Sequence, residues 1–194
     1  MRGLSELLNE MTPQRIQLSY GYVKEYQEDI LNNIEKAKLL SVESRDVGFY
    51  SLTTSNGNYY FLYKDRIIYY FVHYKEFPGF KNISKTPFRQ CLVWRNKVNR
   101  TGATVGFAKK VFWDILFKKY NAVISDSQQS KEGEGLWDNL IQQAFEKGYI
   151  VKVHNTNDKS FKEYKSFDDL DNDKDSHYGD SNFYQRFIIS IEKP

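Results

Sequence analysis

Hydrophobic and polar residues change their period twice along this chain. From residue 47 apolar positions recur with the two-residue step of a strand. VGFYSLTTS at 47–55, NYYFLYKD at 58–65 and RIIYYFVHYKEF at 66–77 are dense in aromatic and β-branched residues, which suit a pleated, half-buried surface. Asn56-Gly57 is a two-residue hairpin signal between the first two runs, and charge at Asp65-Arg66 breaks the apolar run between the second and third. The three predict an antiparallel meander.

Residues 1–40 read as a helical extension ahead of an α/β domain at 41–194. Ser5 is a candidate cap for a first helix, Pro13 suits the first turn of a second, and Gly21 weakens its front. Val23, Tyr26, Ile30, Ile34 and Ala37 then form one helical stripe, expected to pack on the body of the fold; the alternative is a partner-binding helix. After the meander, FPGFKNISKTP at 77–87 is a connection and 88–96 a central strand. A helix follows with Ala108, Val111, Phe112, Ile115 and Leu116 on one face and four lysines mostly off it. A short strand at 121–126, a polar loop at 127–134 and a second helix come next. That helix turns Leu136 or Trp137, Leu140, Ile141, Ala144 and Phe145 inward, and Gly148 ends it. A strand at 149–154, a polar loop or hairpin arm at 155–181 and a last strand at 183–191 complete the chain. The fold class is α/β: a mixed sheet in which an antiparallel meander leads into a βαβ crossover with parallel strands.

Composition narrows the function classes. Across 194 residues, aromatics are 16%, enough to fill a core, while mean hydropathy is −0.67. No apolar run approaches the ~20 residues of a membrane span, so no membrane role is expected. The first ten residues show no secretory signal, and the expected location is the cytoplasm. A net charge of +3 is too small to argue for nucleic acid. Aromatic strands around 59–74 with a basic rim are a further nucleic-acid reading, but strand propensity and core already explain those aromatics. Cys91 is alone, so no intrachain disulfide forms; within a strand it is expected to be a buried, inert thiol. His73, His154 and His177 have no zinc spacing, and His73 is expected on the surface of its strand. Asp169, Asp171, Asp173 and Asp180 fall at calcium-loop positions, but Lys174 stands where such a loop needs glycine, so a solvated loop is expected.

The stretch with chemistry to offer is Arg100-Thr101-Gly102-Ala103-Thr104-Val105-Gly106, where a strand ends and a helix begins. Amides at a helix start lack intrahelical partners, the helix dipole adds partial positive charge, and glycine permits close approach, so a phosphate fits there. Arg95, Lys97, Arg100, Lys109 and Lys110 add positive charge nearby; a plain turn with a basic rim is the alternative.

Strand, Arg100–Gly106 turn, amphipathic helix and short strand together resemble the acyl-CoA-binding core of the GNAT superfamily of N-acyltransferases, over residues 47–191. That family's turn follows Arg/Gln-x-x-Gly-x-Gly/Ala; here the spacing is Arg-x-Gly-x-x-x-Gly. The resemblance implies acetyl-CoA or another acyl-CoA as cofactor, with its pyrophosphate on residues 100–106, and an amine as acceptor. A general base is implied, for which Asp126 at a strand end is the candidate, ahead of Glu76 and His73. The family also uses a tyrosine to protonate the departing thiolate. AFEKGY at 144–149 is similar to its Tyr-Glu-Lys-x-Gly-Phe ending, with Phe145 in the tyrosine's place. The run from Ser125 to Trp137, with Asp126, Ser130, Gly133 and Leu136, is similar to one in GNAT-like proteins carried by phages. Two functions follow as expectations: an N-acyltransferase, or a non-catalytic relative, phage-encoded, that binds a host or virion protein.

Overall fold

The computed structural model describes residues 20–76, 87–99, 101–125, 131–155, 158–174 and 187–194. The chain is α/β and divides into two compact units, Tyr20–Val123 and Ile124–Pro194. Ser5, Pro13 and the 77–86 connection lie outside the described residues.

The first unit opens with α1, Tyr20–Asn32, and a 3-10 turn, Ile34–Lys36. Strands β1 (Lys38–Val42), β2 (Gly48–Thr54), β3 (Gly57–Lys64), β4 (Ile67–Glu76), β5 (Pro87–Arg95) and β6 (Ala122–Ile124) follow, each beside the next. The pairs from β1 through β5 are antiparallel, so the expected meander is present and longer by one strand at each end. The expectation of helix to residue 40 is corrected at its end. Ala37 is extended, and Lys38 and Leu39 pair with β2, because β1 is recruited by a neighbour and not by its own period. The predicted stripe does pack on the body: Val23 and Ile30 are buried and Tyr26 lies against Tyr59, Phe71 and His73.

Two turns set the meander's register. Asp65 and Arg66 connect β3 to β4 with φ of 50° and 62°, the two left-handed residues that a type I′ hairpin demands. Between β2 and β3 the turn falls on Ser55-Asn56, one residue earlier than the Asn-Gly signal, with Thr54 opposite Gly57. Gly57 is needed inside the strand instead. Its φ is +136°, and a Cβ there would lie 2.6 Å from the His73 Nε2.

After β5 the helical run 107–119 comprises α2 (Phe107–Lys110), a π-helical stretch (Val111–Leu116) and α3 (Phe117–Lys119). The wider π turn shifts the apolar stripe. Ala108, Val111, Phe112 and Leu116 are buried as the spacing predicts, Phe107 and Phe117 join them, and Ile115 is only half-buried.

In the second unit, α4 (Lys131–Glu146) precedes β7 (Ile150–Asn155), β8 (Phe161–Tyr164), α5 (Phe167–Asn172) and β9 (Phe187–Glu192). The predicted polar loop gives way to helix over Lys131–Glu134; Glu134 and Asp138, one turn apart, both hold Lys174 at 2.9 Å. Trp137, Leu140, Ile141 and Ala144 are buried, while Leu136 and Phe145 are half-buried. Gly148, at φ 72°, closes α4 as predicted: its amide reaches the Phe145 carbonyl and the Tyr149 amide that of Ala144. β7 pairs antiparallel with both β8 and β9, so the segment after Asn155 is a hairpin arm. The acidic run is not wholly loop: Ser166 caps α5 by accepting the Asp169 amide, and acidic residues in that first turn suit the dipole.

Candidate functional site

The approach to the turn is organised by Asn96. Its side chain donates to the Ile68 carbonyl and its Oδ1 accepts the amides of Val98 and Asn99 at 3.0 and 2.9 Å. Arg100 lies outside the described residues. Thr101 Oγ1 then accepts the Ala103 amide at 3.0 Å, and its carbonyl accepts both the amide and the hydroxyl of Thr104. The Val105 amide closes onto the Gly102 carbonyl at 3.1 Å. The amides of Ala103, Thr104 and Val105 are thus used inside the turn.

Gly106 adopts φ 69° and begins α2. No atom lies within 4 Å of where its Cβ would be, so glycine serves the left-handed backbone here and not a close approach. Gly102 is exposed, and a Cβ there would meet only the Ser44 Oγ at 3.4 Å. Thr104 is buried and Val105 is 83% exposed. The amides from Gly106 to Lys109 precede the first intrahelical bond, Lys110 to the Gly106 carbonyl, and so have no partner four residues back.

Charge is distributed differently from the sequence expectation. Lys110 is committed to Glu43 at 2.7 Å and covers the Phe49 ring. The Lys110 and Ser41 hydrogen bonds hold the Glu43 carboxyl below its ordinary range. Near Thr101, Arg45 and Lys64 stand together with the carboxylates of Asp65 and Asp46. An open pocket of about 270 Å³ is lined by Arg45, Val47, Lys64, Asp65, Tyr69, Asn99 and Thr101.

Of the base candidates, Asp126 lies outside the described residues; its neighbour Ser125 is buried, with its hydroxyl accepting the Ile189 amide. Glu76 is largely exposed, accepts the Tyr120 hydroxyl at 2.6 Å and lies 3.6 Å from Lys119. Burial, then that hydrogen bond, raises the Tyr120 phenol. His73 corrects the surface expectation outright. It is fully buried because Tyr26 of α1 and Tyr59 of β3 pack against its ring. Phe145, on α4, carries no proton to give.

Sequence reasoning missed a second polar cluster in the Ile124–Pro194 unit. Lys152, His154, Ser190 and Glu192 lie on β7 and β9, all of them shielded from solvent. Alternation along each strand was the only signal, and it does not tell which of two faces is buried. Among the described residues, no group of three or more His, Cys, Asp or Glu is placed to hold a metal ion. No described helix is long and apolar enough to cross a membrane.

Comparisons with protein-family models, with curated proteins and with solved structures return no match to this chain.

Proposed function

We propose that this chain is an acyl-CoA-dependent N-acyltransferase of the GNAT type, transferring an acyl group from the CoA thioester to an amine. The observation that supports it most is the passage from β5 through the left-handed Gly106 into the helix 107–119 and back to β6, the neighbour of β5. A return through one helix to an adjacent strand favours a parallel pair. With the antiparallel meander ahead of it, that is the arrangement the GNAT resemblance calls for.

The residues fit the cofactor in part. The amides at the Gly106 helix start would suit a pyrophosphate, and Arg100 would add charge. The three amides closed inside the turn leave fewer donors than the sequence implied. When bound, the acyl-CoA supplies the activated acyl group; the chain's part is to hold it and to relieve the amine of a proton, with Asp126 as the base.

A second reading is a non-catalytic relative that binds another protein, of host or virion origin. Phe145 favours it, because phenylalanine cannot protonate a departing thiolate. Calorimetry of the full chain with acetyl-CoA separates the two. Binding that disappears in Gly102→Trp, with turnover on an amine, supports the enzyme. Absence of binding at millimolar acetyl-CoA, or binding without turnover on any amine, favours the second reading.

A further inference from the structure

Three segments of the Tyr20–Val123 unit contribute to the open pocket of about 270 Å³. They are the 3-10 turn Ser44–Asp46, the hairpin around Lys64 and Asp65, and the residues Asn99 and Thr101. Four non-glycine residues in the first two have left-handed backbones: Arg45 (φ 61°), Asp46 (59°), Asp65 (50°) and Arg66 (62°). Asp65 and Arg66 are the pair their type I′ turn requires, whereas Arg45 and Asp46 are held left-handed against a local penalty. Lys64 ties the two turns together by donating to the Arg45 carbonyl at 2.9 Å, with its ammonium 3.9 Å from Asp46.

The pocket's side chains are chemically selective. Arg45, Tyr69 and Asn99 line the same cavity, and their side chains hydrogen-bond to none of the described residues. Two cations with hydroxyl and amide donors suit a phosphate, which a guanidinium engages in a two-point contact. Asp65 is acceptor-only and would repel a bare anion, but it takes the hydroxyls of a polyol. We propose that this pocket binds a phosphate ester bearing free hydroxyls, a phosphorylated ribose or similar polyol, with Arg45 and Lys64 on the phosphate and Asp65 on the hydroxyls. Such a ligand has two sources: a free sugar phosphate, or the phosphorylated ribose of a CoA.

Calorimetry on the full chain tests this with ribose 5-phosphate, ribose, inorganic phosphate and CoA. Ribose 5-phosphate is expected to bind about ten-fold or more tightly than ribose or phosphate alone, the scale of one charged hydrogen bond. Arg45→Asn and Asp65→Asn keep residues that tolerate the left-handed turns. The first should weaken ribose 5-phosphate by about ten-fold, and the second should erase its advantage over phosphate. Competition by CoA assigns the pocket to the acyl donor, and CoA without effect assigns it to a separate sugar phosphate; both outcomes support the site. No binding of ribose 5-phosphate at millimolar concentration, or equal binding by wild type and Arg45→Asn, overturns it. Acetyl-CoA binding that survives Arg45→Asn alongside such a failure would leave the acyltransferase reading intact.

Discussion

The two described histidines are both buried on strands, at 0% and 2% exposure, yet their surroundings differ in kind. His73 sits in an aromatic sandwich, its ring 4.6 Å from both Tyr26 and Tyr59. Its Nε2 lies 3.0 Å from the Asn56 carbonyl, which only accepts, so that nitrogen carries the proton and Nδ1 is left bare and buried with no hydrogen bond. His154 sits in a polar chain. Ser190 gives its proton to Glu192 at 2.9 Å, so His154 donates to the Ser190 hydroxyl at 2.8 Å, and Lys152 neutralises the other Glu192 oxygen at 3.3 Å. Burial pushes both imidazoles down. His73 falls to about 4, while the Glu192 charge opposes the effect at His154. Equal burial therefore does not make equal environments: what decides is whether a counter-charge was buried with the ring.

The largest expected effect breaks the polar side of this comparison. Glu192→Ala leaves Lys152, with a side chain only 12% exposed, without its partner and removes the acceptor of Ser190. Loss of one member of a buried ion pair should lower stability by about 3–5 kcal/mol, measured by denaturant unfolding.

On the aromatic side, pH is the lever. The folded His73 value of about 4 lies below an unfolded value near 6.5, so the unfolded chain takes up a proton that the folded chain refuses. Stability from this group is complete above about pH 6.5 and is lost as pH falls toward 4, by up to about 3 kcal/mol. Unfolding titrations at a series of pH values should show that slope in wild type and a flatter one in His73→Phe. Identical slopes would mean that other groups carry the acid sensitivity.

The smallest effect concerns the hydrogen bonds that hold α1 beside His73. Asp29 Oδ2 accepts the Tyr59 hydroxyl at 2.6 Å and the Thr54 hydroxyl at 2.7 Å. Asp29→Ala should cost about 1–3 kcal/mol, since the Tyr59 and Thr54 hydroxyls lose the carboxylate that accepts them. It should also bring the Tyr59 phenol down. Burial is the first cause of its upward shift and the Asp29 hydrogen bond the second, so spectroscopic titration should find a lowered value that stays above that of free tyrosine.

How far the chain was legible depended on the range of the interaction. The meander, the Asp65-Arg66 turn, the α1 stripe and the Gly148 cap were readable because each is written within a few residues. The strand Lys38–Val42 was hidden by apolar spacing that continued the helical stripe, although Leu39, Leu40 and Val42 are exposed. The hairpin at 55–56 was misplaced by one residue because a tertiary contact, His73 against Gly57, outweighed the local preference for Asn-Gly. The helix start at Lys131–Glu134 was obscured by Gly133, by Gly135 just after it, and by polar composition.

The candidate site divides along the same line. The sequence alone determined that a strand passes through a glycine-bearing turn into a helix, since period, glycine position and charge are local properties. Only the tertiary structure decided which amides that turn consumes, that Gly106 serves backbone geometry, and that Lys110 belongs to Glu43. It alone brought Arg45, Lys64 and Asp65 to the edge of Thr101. Those residues come from strand connections far apart in the chain, and no local pattern encodes their meeting. The physical reason is that side-chain partners and burial arise when strands pair, and pairing depends on residues tens of positions away.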